Sequence, residues 1–299
     1  MAFSWLRWVL VLAVLVGCGN GTDQPPGGSD GGADSGNPFG QGHTLTGVQV
    51  SPATATLDIV NDAVVTQAFA AKALYDDAGC DGIVGLGGGS SLDLAKAVRL
   101  LTGHQGPLQQ YAAVAGGDAR IHGGICPMVA VPTTSGTGSE VGRAAVIVTA
   151  DGRKLGIISD FMFPSLALCD PELTYGLPAA LTAATGMDAI AHCLETFMAP
   201  AFNPPAEAIA LHGLSCGFGA IRAAVADGAN HGARRDMMVS ALEGALAFQK
   251  GLGAVHALSH PMGAIREPIL HHGTLNAVLM PAVLRFNRDA IGAKWDELA

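Results

Sequence analysis

The stretch Ile83-Val84-Gly85-Leu86-Gly87-Gly88-Gly89-Ser90-Ser91 decides the fold of this chain. Its apolar beginning is typical of a buried strand, and residues 92–101 after it have the periodicity of a helix. A glycine turn between a strand and a helix brings bare backbone amides and a helix N-terminus to one point, where phosphate oxygens can be held. The glycines match neither the Rossmann fingerprint nor the P-loop, so a plain tight turn stays open as an alternative.

A second strand and polar loop follow further along the chain. Pro127-Met128-Val129-Ala130-Val131-Pro132 is apolar and leads into Thr133-Thr134-Ser135-Gly136-Thr137-Gly138-Ser139-Glu140, whose hydroxyls and glycines suit a polyphosphate or a ribose. Two such loops after two apolar strands can converge at the carboxyl end of one parallel sheet. We therefore expect a nucleotide-type ligand there, with turn and capping chemistry as the alternative role of Thr133, Thr134 and Ser139.

The chain after Asp170 is almost wholly helical in pattern. Ala-rich stretches at 179–199, 205–227 and 234–250 lack strand alternation, and Gly251-Leu252-Gly253 marks a break. The predicted fold is an α/β cofactor-binding part with an incomplete parallel sheet, followed by an all-α metal-binding part. A short disordered and β-stranded extension is expected to precede both.

Carboxylate and histidine side chains in the helical half have the spacing of a metal site. Asp188 and His192 stand four residues apart, as do His256 and His260, so each pair lies on one face of a helix. A His-His-Gly run at 271–273 adds a further imidazole. Three nitrogens and one oxygen around a divalent metal would leave room for a substrate oxygen, as a catalytic site requires. Ordinary helix-face histidines are the alternative, which suits one isolated histidine better than this set.

The composition describes a globular body that does not bind nucleic acid. The chain has 299 residues, of which 49% are hydrophobic and 14% charged, with 41 Gly, so a buried interior with many tight turns is expected. The net charge of −9 and the lack of a basic run argue against a nucleic-acid partner.

The first residues are typical of an export signal. Arg7 precedes the apolar residues 9–16, and Leu15-Val16-Gly17-Cys18 resembles a bacterial lipobox, whose cysteine would carry a lipid and act as a membrane anchor. Residues 19–46 lack the apolar content for a core and are predicted to be a disordered tether. Residues 47–75 alternate like short strands and resemble an Ig-like β fragment. The predicted boundaries are 1–18, 19–46, 47–75, 76–175 and 176–299.

Four ordered motifs in residues 76–299 resemble those of the iron-containing (group III) alcohol dehydrogenase family. They are Gly87-Gly88-Gly89-Ser90-Ser91-Leu92-Asp93, Pro132-Thr133-Thr134-Ser135-Gly136-Thr137-Gly138-Ser139-Glu140, Ala184-Thr185-Gly186-Met187-Asp188-Ala189-Ile190-Ala191-His192 and Gly253-Ala254-Val255-His256-Ala257-Leu258-Ser259-His260-Pro261.

The resemblance implies a set of site residues. The implied metal ligands are Asp188, His192, His256 and His272. His260 matches the family's histidine beside the metal, and His271 is the less favoured ligand because the family's ligand directly precedes a glycine. The implied cofactor-binding residues are Gly87, Gly88, Gly89, Ser90, Asp93, Thr133, Thr134, Thr137 and Lys154.

The resemblance also implies a reaction, which is hydride exchange between NAD or NADP and a small alcohol or aldehyde. A divalent ion on the alcohol oxygen would lower its pKa and favour loss of hydride to the nicotinamide. Fe²⁺ is the expected ion, and the ligand types also permit Zn²⁺. His260, or a water it orients, is the candidate for passing the proton out; its alternative role is to hold a ligand or the substrate hydroxyl in place. A homo-oligomer is expected.

The chain departs from the family pattern in three places. Relatives carry further βα units before the first glycine loop and further helices after the last histidine, so an incomplete cofactor sheet and exposed apolar faces are expected. The stretch between His260 and His272 is slightly longer than in many relatives, and this affects the assignment of His272 as the fourth metal ligand.

Location and activity have competing interpretations. Apart from Cys18, five cysteines occur without a Cys-x-x-Cys pair, which suits a reducing cytoplasm, whereas the lipobox indicates a membrane-anchored lipoprotein. A fused reading frame would explain this conflict. Beside the dehydrogenase, two functions stay open: an inert lipoprotein fusion or truncated fragment, and a related glycerol-1-phosphate dehydrogenase or sugar-phosphate cyclase, which a basic phosphate pocket would favour.

Overall fold

A computed structural model describes residues 82–149, 153–263, 265, 267–268 and 270–298, together with seven short strands nearer the N-terminus. These strands are β1 Trp8–Val9, β2 Val14–Leu15, β3 Leu45–Ser51, β4 Thr56–Leu57, β5 Ile59–Val60, β6 Ala63–Val64 and β7 Ala70–Tyr75. β3 pairs with β7, β1 with β4 and β5 with β6, all antiparallel. The predicted export signal with Cys18 and the tether fall mainly on residues outside this description, whereas residues 47–75 contain described antiparallel strands; the signal, tether and Ig-like assignments all stay predictions.

The two glycine loops belong to a parallel sheet, as predicted. The remaining strands are β8 Ile83–Gly87, β9 Met128–Pro132, β10 Ala144–Val148, β11 Lys154–Ile158 and β12 Leu166–Ala167. β12, β9 and β8 lie side by side in parallel, and β2 adds antiparallel beyond β8. Gly87 is paired with Pro132, so β8 and β9 end at the same edge of the sheet.

Helix α1, Gly89–Gly103, packs on this sheet through its apolar stripe. Leu92 and Ala95 contact Ile83 in one buried cluster. A Cβ at Gly85 would lie 2.9 Å from the Cβ of Ala95, which explains a glycine in the middle of a strand.

An antiparallel hairpin of β10 and β11 stands beside the sheet. Its Ala145 and Ile157 contact Leu100 of α1 in a second buried cluster. The connecting segments contain 3-10 turns at Leu108–Tyr111, Ala113–Ala115, Gly117–Arg120, Ser139–Val141, Asp160–Met162 and Pro171–Thr174.

The second half is helical, as predicted. Its helices are α2 Ala179–Met198, α3 Pro204–Ala226, α4 His231–Ala247, α5 Ala254–Met262, α6 His272–Ile291 and α7 Lys294–Glu297. α4 begins earlier than the predicted residue 234, because the Asn230 side chain caps it by accepting from Ala233 N. It ends before residue 250, where Phe248–Lys250 tightens into a 3-10 turn.

Helix α2 lies at the centre of this half and contacts α3, α4, α5 and α6. The main core combines Ile190 and Leu194 of α2 with Leu214, Val255 and Met280 from three other helices. By length and composition alone α3 could cross a membrane. Its packing between α2 and α4 suits a core helix of the bundle equally well.

A buried lysine closes the C-terminus of α2. Nζ of Lys250 donates to the carbonyl oxygen of Thr196 at 2.9 Å and pairs with Glu207 at 3.1 Å. The last carbonyls of a helix lack intrahelical partners and carry partial negative charge, so an ammonium group stabilises them. The lysine therefore fixes one end of the helix that carries Asp188 and His192.

Candidate active site

The two polar loops converge at the carboxyl edge of the sheet, as predicted. Thr133 N donates to the Gly87 carbonyl at 3.0 Å. A Cβ at Gly88 would lie 3.2 Å from Thr134 Cγ2, and one at Gly89 would overlap Thr137 Cγ2. Glycine is therefore needed at Gly89 because the second loop crosses directly over the start of α1.

The start of α1 is open to an anionic group. Gly88 is its N-cap residue, and no side chain caps the helix among the described residues. Ser90, in the first turn, is exposed. Backbone amides in the first turn of a helix favour phosphate oxygens, so Gly88, Gly89, Ser90, Thr134 and Thr137 are the candidate cradle for a dinucleotide phosphate.

A buried network ties the second loop to α1. Asp93 accepts from Ser139 Oγ at 2.6 Å and from Val146 N at 3.0 Å. Lys96 donates to the same hydroxyl at 2.9 Å and to the carbonyls of Gly142 and Ala144 at 2.7 and 2.8 Å. Because both oxygens of Asp93 are engaged by the protein, its predicted contact with the cofactor stays a prediction.

Burial shifts the pKa of both charged groups in this network. It lowers the pKa of Lys96 to about 8, although the negative charges of Asp93 and Glu140 oppose the shift. It also raises the pKa of Asp93, against the charge of Lys96. Sequence reasoning missed Lys96; its signal is the spacing of three residues from Asp93 on one helical face.

The three predicted histidine ligands lie within 4 Å of Asp188, and their ligand atoms fall in two overlapping groups, Asp188–His192–His256 and His256–His260–His272. Asp188 Oδ1 lies 3.8 Å from His192 Nε2, 3.4 Å from His256 Nε2 and 3.5 Å from His272 Nε2. They come from three helices, because α5 and α6 both contact α2 on the face that carries Asp188 and His192. Asp188 and His256 are each 3% exposed, and His192 is 6% exposed.

The protonation of these groups fits a divalent cation. Burial alone would raise the pKa of Asp188, but the charge of His192 and the hydrogen bond with His256 outweigh it and lower that pKa, so the carboxylate is ionised. Burial lowers the pKa of His192 to about 4 and that of His272 to about 3, so both rings are neutral at pH 7. The Asp188 carboxylate and these two neutral imidazoles are ligand types for iron or zinc.

Glu195, which sequence reasoning missed, orients one of the histidines. It is 1% exposed and accepts from His256 Nδ1 and Val255 N, both at 2.6 Å. Burial would lower the His256 pKa, but hydrogen bonds with Asp188 and Glu195 raise it to about 9. The signal in the sequence is the spacing of Asp188, His192 and Glu195, which lie on one face of α2.

His260 and His271 lie beside the cluster in different ways. His260 follows His256 by one turn of α5, and its ring centre is 4.9 Å from that of His272. His256, His260 and His272 also offer ligand atoms within 4.8 Å of one another. Neither ligand group among the described residues includes His271, the N-cap residue of α6, and its lower rank as a ligand stays a prediction.

Lys154 lies between the loops and the metal ligands. It begins β11, and its Nζ is 3.5 Å from the position that a Cβ would take at Gly263. Burial is the largest cause of the pKa shifts of Asp93 and His272, and the positive charge of Lys154 is a smaller influence that lowers both pKa values. The second loop also adjoins α2, since a Cβ at Gly136 would lie 2.8 Å from Thr185 Cβ. The loop cluster and the ligand cluster therefore face one site.

Comparisons with known sequences agree with this geometry. Residues 47–171 match the family described as iron-containing alcohol dehydrogenase, and residues 182–299 match the C-terminal part of the Fe-containing alcohol dehydrogenase family. A 4-hydroxybutyrate dehydrogenase of Cupriavidus necator is 58% identical over 82% of this chain and 64% of its own length. A 1,3-propanediol dehydrogenase of Klebsiella pneumoniae is 40% identical over 74% of this chain and 56% of its own length.

Solved structures of dehydrogenases and reductases also resemble this chain. The crystal structure of a 1,3-propanediol oxidoreductase has a TM-score of 0.65 at 41% identity, over 70% of this chain and 53% of that one. A sulfoacetaldehyde reductase from Bifidobacterium kashiwanohense, solved in complex with NAD⁺, has a TM-score of 0.65 at 33% identity, over 70% of this chain and 55% of that one.

The chain belongs to the iron-containing alcohol dehydrogenase family. It spans between 53% and 64% of the length of these relatives. The family match begins at residue 47 and so takes in the segment 47–75 that was interpreted as an Ig-like fragment. The two relatives named above are called 4-hydroxybutyrate and 1,3-propanediol dehydrogenases, which does not favour the inert-lipoprotein or sugar-phosphate alternatives.

Proposed function

We propose that this chain performs the reaction of a metal- and NAD(P)-dependent alcohol dehydrogenase. One observation carries the proposal: an ionised carboxylate and three imidazoles from three helices meet beside two glycine loops at the edge of a parallel sheet. Family membership and the NAD⁺ complex of a relative support the same reaction.

The ligand cluster prepares a site for the substrate oxygen. Asp188, His192, His256 and His272 would hold the metal, and Glu195 would keep the His256 ring in place. When bound, a divalent metal supplies Lewis acidity toward an alcohol or carbonyl oxygen, and the dinucleotide accepts or supplies the hydride. Burial of the ligands excludes water from three of them.

His260 is the candidate for moving the alcohol proton. It is more exposed than His256 and lies beside the His272 ring, so it joins the cluster to solvent. Burial lowers its pKa, which keeps the ring neutral and able to accept a proton near pH 7.

The glycine loops would bind the cofactor. The helix N-terminus at the start of α1 suits its phosphates, and the hydroxyls of Thr134 and Thr137 lie beside it. Thr133 joins the two loops through its backbone. Lys154 places a positive charge between this cradle and the metal ligands.

The substrate that relatives support best is a short primary alcohol with a second polar group. The relatives named above are called 4-hydroxybutyrate and 1,3-propanediol dehydrogenases. We therefore propose an ω-hydroxy acid or a diol, oxidised to the corresponding aldehyde.

We also infer that the enzyme part works in the cytoplasm and as a homo-oligomer. Cys169, Cys193 and Cys216 are thiols, which suits a reducing compartment. Val278 and Phe286 of α6 are 71% and 85% exposed, an apolar surface that a second copy could cover. Cell fractionation and light scattering test these two inferences.

Metal content and turnover of the purified full chain test the proposed function. We expect about one Fe²⁺ or Zn²⁺ per chain, and oxidation of NADH with succinic semialdehyde or 3-hydroxypropanal. The double variant Asp188→Ala, His192→Ala should lose the metal and the turnover. The control Asp236→Ala, His212→Ala changes the same residue types at the surface and should retain both. Equal metal content in the two variants would remove the site assignment.

A further inference from the structure

Asn276, one turn after His272 on α6, lies at the centre of the candidate ligand cluster. Its side chain is fully buried, and its Nδ2 is 2.7 Å from Asp188 Oδ1, 3.3 Å from His256 Nε2 and 3.4 Å from His272 Nε2. Three of the four candidate ligands thus direct their metal-binding atoms at one amide nitrogen.

The amide must present its NH₂ group to this cluster. An ionised Asp188 only accepts hydrogen bonds, so an amide oxygen at 2.7 Å would face another oxygen without a hydrogen between them. The two N–H hydrogens are directed at Asp188 Oδ1, at 2.7 Å, and at His272 Nε2, at 3.4 Å. His256 is fixed independently, through Glu195.

We infer that Asn276 is a positioning residue that holds the ligand set together when no metal is bound and turns away when a metal binds. Its Nδ2 lies within 3.4 Å of three atoms that would bind the cation, and the single lone pair of His272 Nε2 can serve the amide or the cation but not both. Asn276 Oδ1 is buried and lacks a hydrogen-bond partner among the described residues, so rotation of the amide breaks no bond at that end. This inference rests on the proposed metal site.

The Asn276 amide should stabilise mainly the metal-free form of the protein. A buried carboxylate that loses a donor is costly, so replacing Asn276 leaves Asp188 poorly satisfied without metal. In the metal-loaded form the cation satisfies Asp188, and the loss of the amide costs less. The Asn276 amide therefore reduces the difference in unfolding free energy between the metal-free and the metal-loaded protein.

Thermal unfolding of the full chain in EDTA and in Zn²⁺ tests this with Asn276→Leu, which has a similar shape and no polar atoms. We expect Tm to fall further in EDTA, so the Zn²⁺-induced rise in Tm grows by about 3 °C or more. The control Asn287→Leu, on the same helix, should leave that rise unchanged. An equal loss in both conditions, or a larger loss in Zn²⁺, overturns the inference.

A swapped pair tests the hydrogen bond itself. Asn276→Asp sets a second carboxylate against Asp188, whereas Asn276→Asp with Asp188→Asn restores one donor and one acceptor in reverse. In EDTA the swapped chain should unfold at a higher temperature than the Asn276→Asp chain; if it does not, the inference fails. If neither Zn²⁺ nor Fe²⁺ changes the Tm of the unmodified chain, the proposed function and this inference are both overturned. A chain that responds while the Asn276→Leu difference stays unchanged overturns this inference alone.

Discussion

Glu195 and Asp188 contact the two ring nitrogens of the same residue, His256. Glu195 accepts from His256 Nδ1 at 2.6 Å, while His256 Nε2 faces Asp188 at 3.4 Å. Both carboxylates belong to α2, two turns apart, so the backbone of one helix fixes the distance between them. The orientation of His256 as a ligand is therefore set by the protein before any metal binds.

Glu195→Gln should weaken metal binding by about 10- to 100-fold, because groups that orient a ligating histidine contribute on that scale. The variant keeps the shape but cannot accept from both His256 Nδ1 and Val255 N with two oxygens. Competition with a chelator measures the affinity. Glu243→Gln is the matched control, since Glu243 is a half-buried glutamate that pairs with the exposed His212 away from the ligand cluster. Unchanged affinity in Glu195→Gln would show that the ring needs no such support.

Lys96 should make the unfolding free energy rise with pH above 8. Its folded pKa is about 8 against an ordinary value of 10.5, so the unfolded chain binds more protons between these values. The stability of the unmodified chain relative to Lys96→Met should therefore increase across this window, by at most about 3 kcal/mol. Urea unfolding at pH 8, 9 and 10 measures the difference. A difference that shrinks as pH rises would show that Lys96 is stabilised in its charged form.

Gly138→Ala should destabilise the chain by at least about 2 kcal/mol. Gly138 has a φ of +61°, and a Cβ there would overlap the Cβ of Ala245 and lie 2.9 Å from the Ala241 carbonyl of α4. Helix backbone cannot move away as a side chain could. Gly219→Ala in α3 is the control, because a Cβ there meets nothing within 4 Å; it should stabilise by about 0.5–1 kcal/mol. Similar urea midpoints for both variants would contradict this account of the second loop.

Gly89→Ala should weaken NADH binding about tenfold or more, a loss of roughly 1.4 kcal/mol. The new Cβ would overlap Thr137 and push the second loop away from α1. Adding Thr137→Ala should restore part of the affinity, because it removes the overlapping Cγ2 and Oγ1 atoms. Fluorescence titration with NADH gives the affinities, and Gly156→Ala, with no neighbour within 4 Å, serves as control. Full affinity in Gly89→Ala would place the dinucleotide elsewhere.

Local patterns predicted much of the fold. The run from Ile83 to Gly89 carries its strand, turn and helix in adjacent residues, so no distant contact is needed to read it. The convergence of the two loops was also predictable, because parallel strands end at one edge. The pairs Asp188–His192 and His256–His260 follow from helical spacing alone.

The supporting residues were not predictable in the same way. Lys96, Glu195 and Asn276 are single polar residues among apolar ones, and their partners lie 43, 61 and 88 positions away. Spacing within one helix shows which residues share a face but not which other element that face meets. The ends of α4 were misplaced for a related reason, since a cap at Asn230 and a 3-10 turn at Phe248–Lys250 outweighed its periodicity.

The sequence by itself determined the two strand-and-loop units, the helical second half and the histidine pairs, because each depends on neighbours within a few residues; it did not predict the β10–β11 hairpin or β12. Only the tertiary structure decided that Asp188, His192, His256 and His272 share one centre, that Glu195 holds His256, and that Asn276 points into the cluster. The reason is that burial and packing bring α2, α5 and α6 together, and the pKa values and hydrogen bonds of a site arise from that meeting.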